Sequence, residues 1–248
     1  MSRVLLVTGG SAGIGAACVK LGAQRGYHVA FSYRSSAAQA SALVEEVTAA
    51  GGVARGFQAD AADEAQTAAL FRQIDDTMGP VTALVNNAGI TGPVLKLDAV
   101  SGPMLDELNA ININGVFYAT REAIKRMATD LGGPGGGIVT ISSVAATLGA
   151  PGAWVHYAAS KGAVDSFTIG AAKELAPRGI RVNAVRPGLI ETEIHAKAGV
   201  GDRLQSLAPT VPMGRIGTAM EVAQAVLWLL SDEASYVIGA NIPVSGGR

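Results

Sequence analysis

A tyrosine and a lysine stand four positions apart in the stretch Trp154-Val155-His156-Tyr157-Ala158-Ala159-Ser160-Lys161. On a helix, residues i and i+4 share a face. A phenol with an ammonium on that face is an acid beside a cation able to tune it, because a nearby positive charge stabilises the phenolate. The same spacing also suits a packed ring beside a lysine that snorkels to solvent. The residues around the pair have to separate these two readings.

A second group of residue types points to phosphate. Thr8-Gly9-Gly10-Ser11-Ala12-Gly13-Ile14-Gly15 follows a short apolar run and leads straight into a helical pattern. Glycines there let the chain turn sharply and approach a pyrophosphate, and the helix N-terminus adds positive potential. The spacing is G-x-x-x-G-x-G rather than G-x-G-x-x-G, so the loop alone is a modest signal and a plain tight turn is its alternative. After the second apolar run, a binder of NAD places an acid against the ribose 2′-hydroxyl. Here the chain reads Phe31-Ser32-Tyr33-Arg34-Ser35-Ser36, with no acid. Arg34 with Ser35 beside it suits a 2′-phosphate, so NADP(H) is favoured over NAD(H). The plain reading of Arg34 is a solvated surface charge. Asp60, in Gln58-Ala59-Asp60-Ala61, is placed either to meet an adenine or to cap the next helix, a role for which Asp63 competes.

These groups need elements to hold them. β-Branched runs at Val4–Thr8, His28–Tyr33, Val53–Gln58, Ala83–Asn86, Gly137–Ser142, Arg181–Arg186 and Ile238–Val244 read as strands. Helical patterns lie between them at Ile14–Arg25, Ala37–Ala50, Asp63–Met78, Met104–Met127, Tyr157–Ala176 and Ala219–Ser231. The alternation predicts an α/β fold: a doubly wound, Rossmann-like parallel sheet of about seven strands with helices on both faces. The strand runs are continuously apolar, as strands covered on both sides should be. No linker divides residues 1–248, so one domain is expected.

Composition narrows the function classes. The chain has 248 residues, 49% hydrophobic and 16% charged, with a net charge of −1. That argues against disorder and leaves no basic footprint for nucleic acid or an anionic membrane. Leu131 to Ser160 carries no Asp, Glu, Lys or Arg, but glycines and prolines break it up too often for a membrane span. The opening MSRVLLVTGG holds too short an apolar run for a signal peptide, and Cys18, the one cysteine, excludes an internal disulfide. A cytoplasmic setting follows as the expectation. No His/Cys/Asp/Glu cluster has metal-ligand spacing, so no metal is expected.

Further motifs lie in the centre: Asn86-Asn87-Ala88-Gly89, Asn112-Ile113-Asn114-Gly115-Val116-Phe117, Ile141-Ser142-Ser143 and Pro187-Gly188-Leu189-Ile190-Glu191-Thr192. An asparagine inside an apolar helical pattern asks for buried partners. Taken in order with the glycine loop and Tyr157/Lys161, they resemble the short-chain dehydrogenase/reductase family over essentially the whole chain. The closing Val244-Ser245-Gly246-Gly247 resembles the family's V-D-G-G, with serine in place of the acid.

The resemblance implies roles. Tyr157 would be the general acid/base, Lys161 its cation and a holder of the nicotinamide ribose, Ser143 the hydrogen-bond partner of the substrate oxygen, and Asn112 a support for the proton route. Asn112 is chosen over Asn114 and Ser143 over Ser142 on the family pattern. Gly9, Ser11, Gly13, Ile14, Gly15, Arg34, Ser35, Asp60, Asn87, Ala88, Gly89, Pro187, Gly188, Ile190 and Thr192 would join Tyr157 and Lys161 in holding the cofactor. The substrate would be a small carbonyl or alcohol, enclosed by a lid near 192–215 that includes His195, with Trp154 lining the pocket or packing in the core. His156 is expected to pack, and Cys18 to be a small buried residue. The family is usually a homotetramer. A 3-oxoacyl-carrier-protein reductase and a sugar dehydrogenase remain open among enzymes. A non-catalytic nucleotide-binding regulator is the alternative outside them, and such proteins often lack the tyrosine or the lysine.

Overall fold

The computed structural model describes residues 3–192 and 205–248. Seven strands form one parallel sheet: β1 (Val4–Val7), β2 (His28–Tyr33), β3 (Val53–Gln58), β4 (Val81–Asn86), β5 (Gly136–Ile141), β6 (Ile180–Pro187) and, after a separate short pair, β9 (Asn241–Val244). Their order is β3-β2-β1-β4-β5-β6-β9. The chain runs outward one way from β1 and then returns to β4 on its other side, which makes β1/β4 the switch point where such sheets open a crevice. The separate pair is β7 (Ile190–Glu191) with β8 (Gly217–Thr218).

Strand alternation fills both faces of the sheet. In β1, Leu5 and Val7 enter a core with Val29, Phe31 and Val185, packed under α1 (Gly13–Gln24), α2 (Ala37–Ala49) and α8 (Ala219–Leu230). Val4 and Leu6 enter the opposite core with Leu84, Ile138 and Val182, under α3 (Glu64–Met78), α5 (Gly115–Met127) and α7 (Val155–Leu175). Successive side chains point to opposite faces, so a buried parallel strand must be apolar at every position. Asp63 caps α3, accepting from the Gln66 N–H at 2.9 Å. Thr218 and Glu221 form a reciprocal capping box on α8.

Two expected elements differ. The helix expected over Met104–Met127 is broken into α4 (Gly102–Asn109), a π turn at Ala110–Asn114, and α5. A π turn adds a residue to the helical circuit and redirects a side chain; here it carries Asn112, which is fully buried. The last strand begins at Asn241 rather than Ile238, because Gly239 turns with φ +67° and donates its N–H to Val182 O at 2.8 Å. A short helix unmarked in the sequence, α6 (Ala145–Leu148), follows β5. Among the described residues, no helix is long and apolar enough to cross a membrane.

Candidate active site

The segments after β1, β2, β3, β4, β5 and β6 line one cavity of about 790 Å³, so it lies at the carboxyl ends of the strands. At one end is the glycine loop. Gly9 (φ +62°) and Gly13 (φ +54°) take backbone angles that glycine adopts freely. Thr8 ties this loop to the next: its Oγ1 accepts from the N–H groups of Asn87 and Ala88 at 3.0 and 3.1 Å. Asn87 Nδ2 donates back to Thr8 O and Gly9 O at 3.0 and 2.8 Å. Helix α1 opens into the cavity with Ala12 at its cap and no side chain bonded to its first-turn amides. Uncapped N–H groups with a positive helix end are a ready anion cradle. Arg34 reaches the same cavity with an exposed guanidinium, 4.0 Å from Glu107. Groups suited to an anionic ligand thus line the cavity from the α1 terminus to Arg34.

At the other end are Ser143, Tyr157 and Lys161, brought together by β5 and the first two turns of α7. Lys161 is buried and donates from Nζ to Ile141 O at 2.7 Å. Its Nζ is 5.8 Å from the centroid of the Tyr157 ring. Burial pushes the ammonium down to about 8, and the carboxylate of Asp165, one turn further along α7, partly opposes that. The Tyr157 phenol is raised above its ordinary value by burial, and a hydrogen bond with Ser143 acts in the opposite direction. Lys161 was expected to lower the phenol. In this structure burial raises it instead, Ser143 is the opposing influence, and Lys161 Nζ donates to the Ile141 carbonyl.

Asn112 stands behind this group. Its Oδ1 accepts from Ile90 N–H at 2.9 Å, and its Nδ2 donates to Ile90 O at 2.9 Å and Ser160 Oγ at 3.0 Å. A Cβ on Gly89 would lie 3.3 Å from that Oδ1 and 3.6 Å from Lys161 Nζ, so both flank Gly89.

Residues 9–248 match the family described as Enoyl-(Acyl carrier protein) reductase. The uncharacterized oxidoreductase YgfF of Escherichia coli (strain K12) is 49% identical over 245 residues, 99% of each chain. A short-chain dehydrogenase/reductase from Serratia marcescens BCRC 10948 has a TM-score of 0.91 at 38% identity, with 99% of this chain and 97% of that one covered. The chain belongs to the short-chain dehydrogenase/reductase family. It is an oxidoreductase of that family. Two further solved structures similar to this chain carry nucleotides. One is a blue fluorescent protein from a metagenomic library in complex with NADPH (TM-score 0.90, 37% identity, 99% and 97% covered). The other is 3-ketoacyl-(acyl-carrier-protein) reductase from Brucella melitensis complexed with NADH (TM-score 0.90, 31% identity, 99% and 98% covered).

Most residues expected at a short-chain dehydrogenase/reductase site line the cavity: Gly9, Ser11, Gly13, Ile14, Arg34, Ser35, Asp60, Asn87, Ala88, Gly89, Ser143, Tyr157, Lys161, Pro187, Gly188, Ile190 and Thr192. Two do not. Gly15 lies behind the loop, where a Cβ would come 2.5 Å from Gly9 O and 2.6 Å from Asn87 Nδ2. Asn112 is likewise in the second layer. Asp60 reaches the cavity while its Oδ1 accepts from Ala62 N–H at 3.0 Å, and Asp63 takes the helix cap. Asn114 is exposed, and Ser142 lines the cavity with its Oγ donating to Lys161 O at 3.4 Å. Trp154 lines the cavity, while His156 and Cys18 are buried. Ser245, in the acid's place, packs against Gly188 and donates to Arg248 O at 3.0 Å. Pocket residues that the motifs did not signal include Thr91, Pro93, Leu148 and Arg248. Residues 193–204 of the expected lid, His195 among them, lie outside the described residues. Among the described residues no cluster of His, Cys, Asp or Glu is placed to hold a metal.

Proposed function

We propose that this protein is an NADP(H)-dependent oxidoreductase that interconverts a carbonyl and a secondary alcohol, with Tyr157 as general acid/base. One observation carries the reading: Arg34, the α1 terminus and the Ser143–Tyr157–Lys161 group line one continuous cavity. A nicotinamide dinucleotide, when bound, supplies or takes up the hydride, and the NADPH- and NADH-bound relatives support that cofactor class.

The chain's own residues handle the proton and the charge. The raised phenol keeps its proton near neutral pH, so in reduction Tyr157 Oη holds a proton to give to the substrate oxygen. Ser143 Oγ hydrogen-bonds the same oxygen as negative charge grows on it. Lys161 brings its positive charge to the phenolate left behind and holds the nicotinamide ribose. Asn112 fixes the Ile90 backbone and, with Lys161 beside Gly89, supports the route by which Tyr157 recovers its proton. Gly15 serves the cofactor indirectly, by seating the loop against Asn87.

The wider reading is a single-domain, cytoplasmic homotetramer with a lid near 192–215. Exposed Phe117 on α5 and Ile169 on α7, with Phe117 stacked edge-on to Phe167 at 4.6 Å, support association through these long helices.

Titration with NADPH and NADH, followed by assay of a carbonyl panel, tests the function. Tight NADPH binding with turnover is expected. Arg34→Ala should weaken NADPH by about 10- to 100-fold and NADH little, as loss of a charge-assisted phosphate contact requires. An equal loss for both nucleotides would remove the 2′-phosphate assignment, and no binding of either would overturn the cofactor reading.

A further inference from the structure

Near Ser143 and Tyr157 the cavity lining includes a group of apolar side chains. This wall is built from Pro93 after β4 and from Val144, Leu148, Pro151 and Trp154 between β5 and α7. Leu148 is 51% exposed, an apolar side chain facing open space. The side-chain donors of this wall are already committed. Trp154 Nε1 donates to Gly92 O at 3.1 Å, and Thr91 Oγ1 donates to the same oxygen at 3.0 Å. Ile90 N–H and O are both taken by Asn112. Thr147 Oγ1 donates to Val144 O at 2.9 Å. The indole is therefore fixed in orientation by its own N–H, as a platform rather than a hydrogen-bonding arm.

Charge is distributed just as unevenly. Among the described residues, the charged side chains lining the cavity are Arg34, Asp60, Lys161 and Arg248. Arg34 and Asp60 follow β2 and β3, at the nucleotide end. Lys161 belongs to the reaction centre. Arg248 follows β9 at the other edge of the sheet, exposed, with its Nη1 donating to Thr210 Oγ1 at 3.1 Å. None of them stands on the Trp154 wall.

We infer that the substrate is a neutral ketone with an apolar body of about one aromatic ring, its ring seated on Trp154 and Leu148 and its carbonyl directed to Ser143 and Tyr157. This rests on the oxidoreductase reading of the same site and narrows it. A polyhydroxylated substrate would bring hydroxyls to a wall whose side-chain donors, Trp154 Nε1 and Thr91 Oγ1, are already bonded, and a carboxylate there would meet no cationic side chain among the described residues. A flat apolar group instead removes its own surface and that of Leu148 and Trp154 from water.

Matched probes test this on the full-length protein with NADPH: acetophenone, its charged analogue phenylglyoxylate, a ketohexose, an acetoacetyl thioester of pantetheine phosphate, and 2-butanone as a ketone without a ring. Acetophenone should exceed the charged and polyhydroxylated probes in kcat/KM by about 100-fold or more. Trp154→Ala should lose about 10- to 100-fold on acetophenone, chiefly in KM, and leave 2-butanone within about 3-fold. Preference for phenylglyoxylate, the phosphorylated thioester or the ketohexose would overturn the inference, and more directly so if Arg248→Ala abolished a preference for an anion. So would an equal loss on both simple ketones, which would make Trp154 a structural residue. Binding is read separately from turnover, by quenching of Trp154 fluorescence in a Trp228→Phe background. Saturable acetophenone binding with no turnover would support the wall and count against the proposed reaction. Absence of acetophenone binding beside intact NADPH binding would overturn the wall alone.

Discussion

At the Gly9–Gly15 end the cavity wall is main chain; at the Trp154 end it is side chain. The first end is packed tightly from behind: a Cβ on Gly10 would fall 2.5 Å from Phe31 Cβ, and one on Gly15 equally close to Gly9 O. Its contacts to a ligand would come from amides that every sequence possesses, so its specificity lies in the path of the chain. The second end is assembled from Val144, Leu148 and Trp154, projected from a loop that packs on itself. Side chains there can change without moving the sheet. One end therefore conserves a ligand class by geometry, and the other sets selectivity by composition.

The largest effect should come where the two ends meet. Tyr157→Phe keeps the ring's volume and removes only the hydroxyl that faces Ser143. Turnover should fall by about 100- to 10,000-fold, the range for loss of a positioned acid/base. NADPH binding and thermal stability should hardly change, because neither the α1 terminus nor Arg34 is touched. Activity near wild type would break the comparison at its centre, leaving Tyr157 a packing residue.

The second effect is a shift along the pH axis. Lys161 is charged below about 8 and neutral above it. If its charge serves the reaction, kcat/KM for reduction should hold at lower pH and fall as pH rises through about 8. The groups that face it are Tyr157 and Asp165, and Asp165 is itself paired with Arg186 of β6 at 2.8 Å. Asp165 raises the lysine, so Asp165→Asn should move the alkaline limb to lower pH. Its loss also leaves Arg186 without its partner, so the limb's position, rather than the rate alone, is the reading to take. A limb that stays put would separate Lys161 from the profile. Stability runs the other way: keeping a buried ammonium costs stability below about 8, and that cost fades as pH climbs toward the ordinary value of 10.5.

This contrast also explains what was legible in the sequence. Strand β2 stands where its apolar run placed it, because a strand buried on both faces must be apolar. Strand β3 also keeps its expected bounds, but as the edge strand it exposes Val53, Arg55 and Gln58, so it departs from the continuously apolar pattern expected of every strand. The glycine loop was legible for a related reason, since few residue types satisfy its geometry. Asn112 advertised itself as a buried amide in an apolar helix. That its partner is the Ile90 backbone, reached by a π turn, depends on packing between segments 22 residues apart. The Asp165–Arg186 pair was silent, because an acid on a helix and a base on a strand carry no mark of each other until the β6 crossover joins them. The commitment of the side-chain donors Trp154 Nε1 and Thr91 Oγ1 was hidden for the same reason: it is a property of contacts, with no residue type to announce it.

The smallest effect concerns how that wall is shaped. Between Gly149 (φ +74°) and Gly152 (φ +72°), Ala150 takes φ +44°, the left-handed value seen at no other non-glycine residue among those described. A Cβ in that region costs roughly 1–2 kcal/mol. The loop accepts the strain because the turn is needed: Ala150 O receives the Trp154 N–H at 3.0 Å, and the neighbouring Ala153 O receives Leu95 N–H at 2.9 Å. These bonds carry Trp154 to the cavity. Ala150→Gly should relieve the Cβ clash, while the looser unfolded chain takes back up to about 1 kcal/mol. The expected result is a rise in stability of no more than about 1 kcal/mol, read by urea denaturation, with kcat/KM on acetophenone unchanged. A clear loss of acetophenone activity with unchanged stability would mean that the alanine methyl itself forms part of the substrate wall. Selectivity at that end would then reach one residue further into the turn than Trp154 and Leu148 alone require.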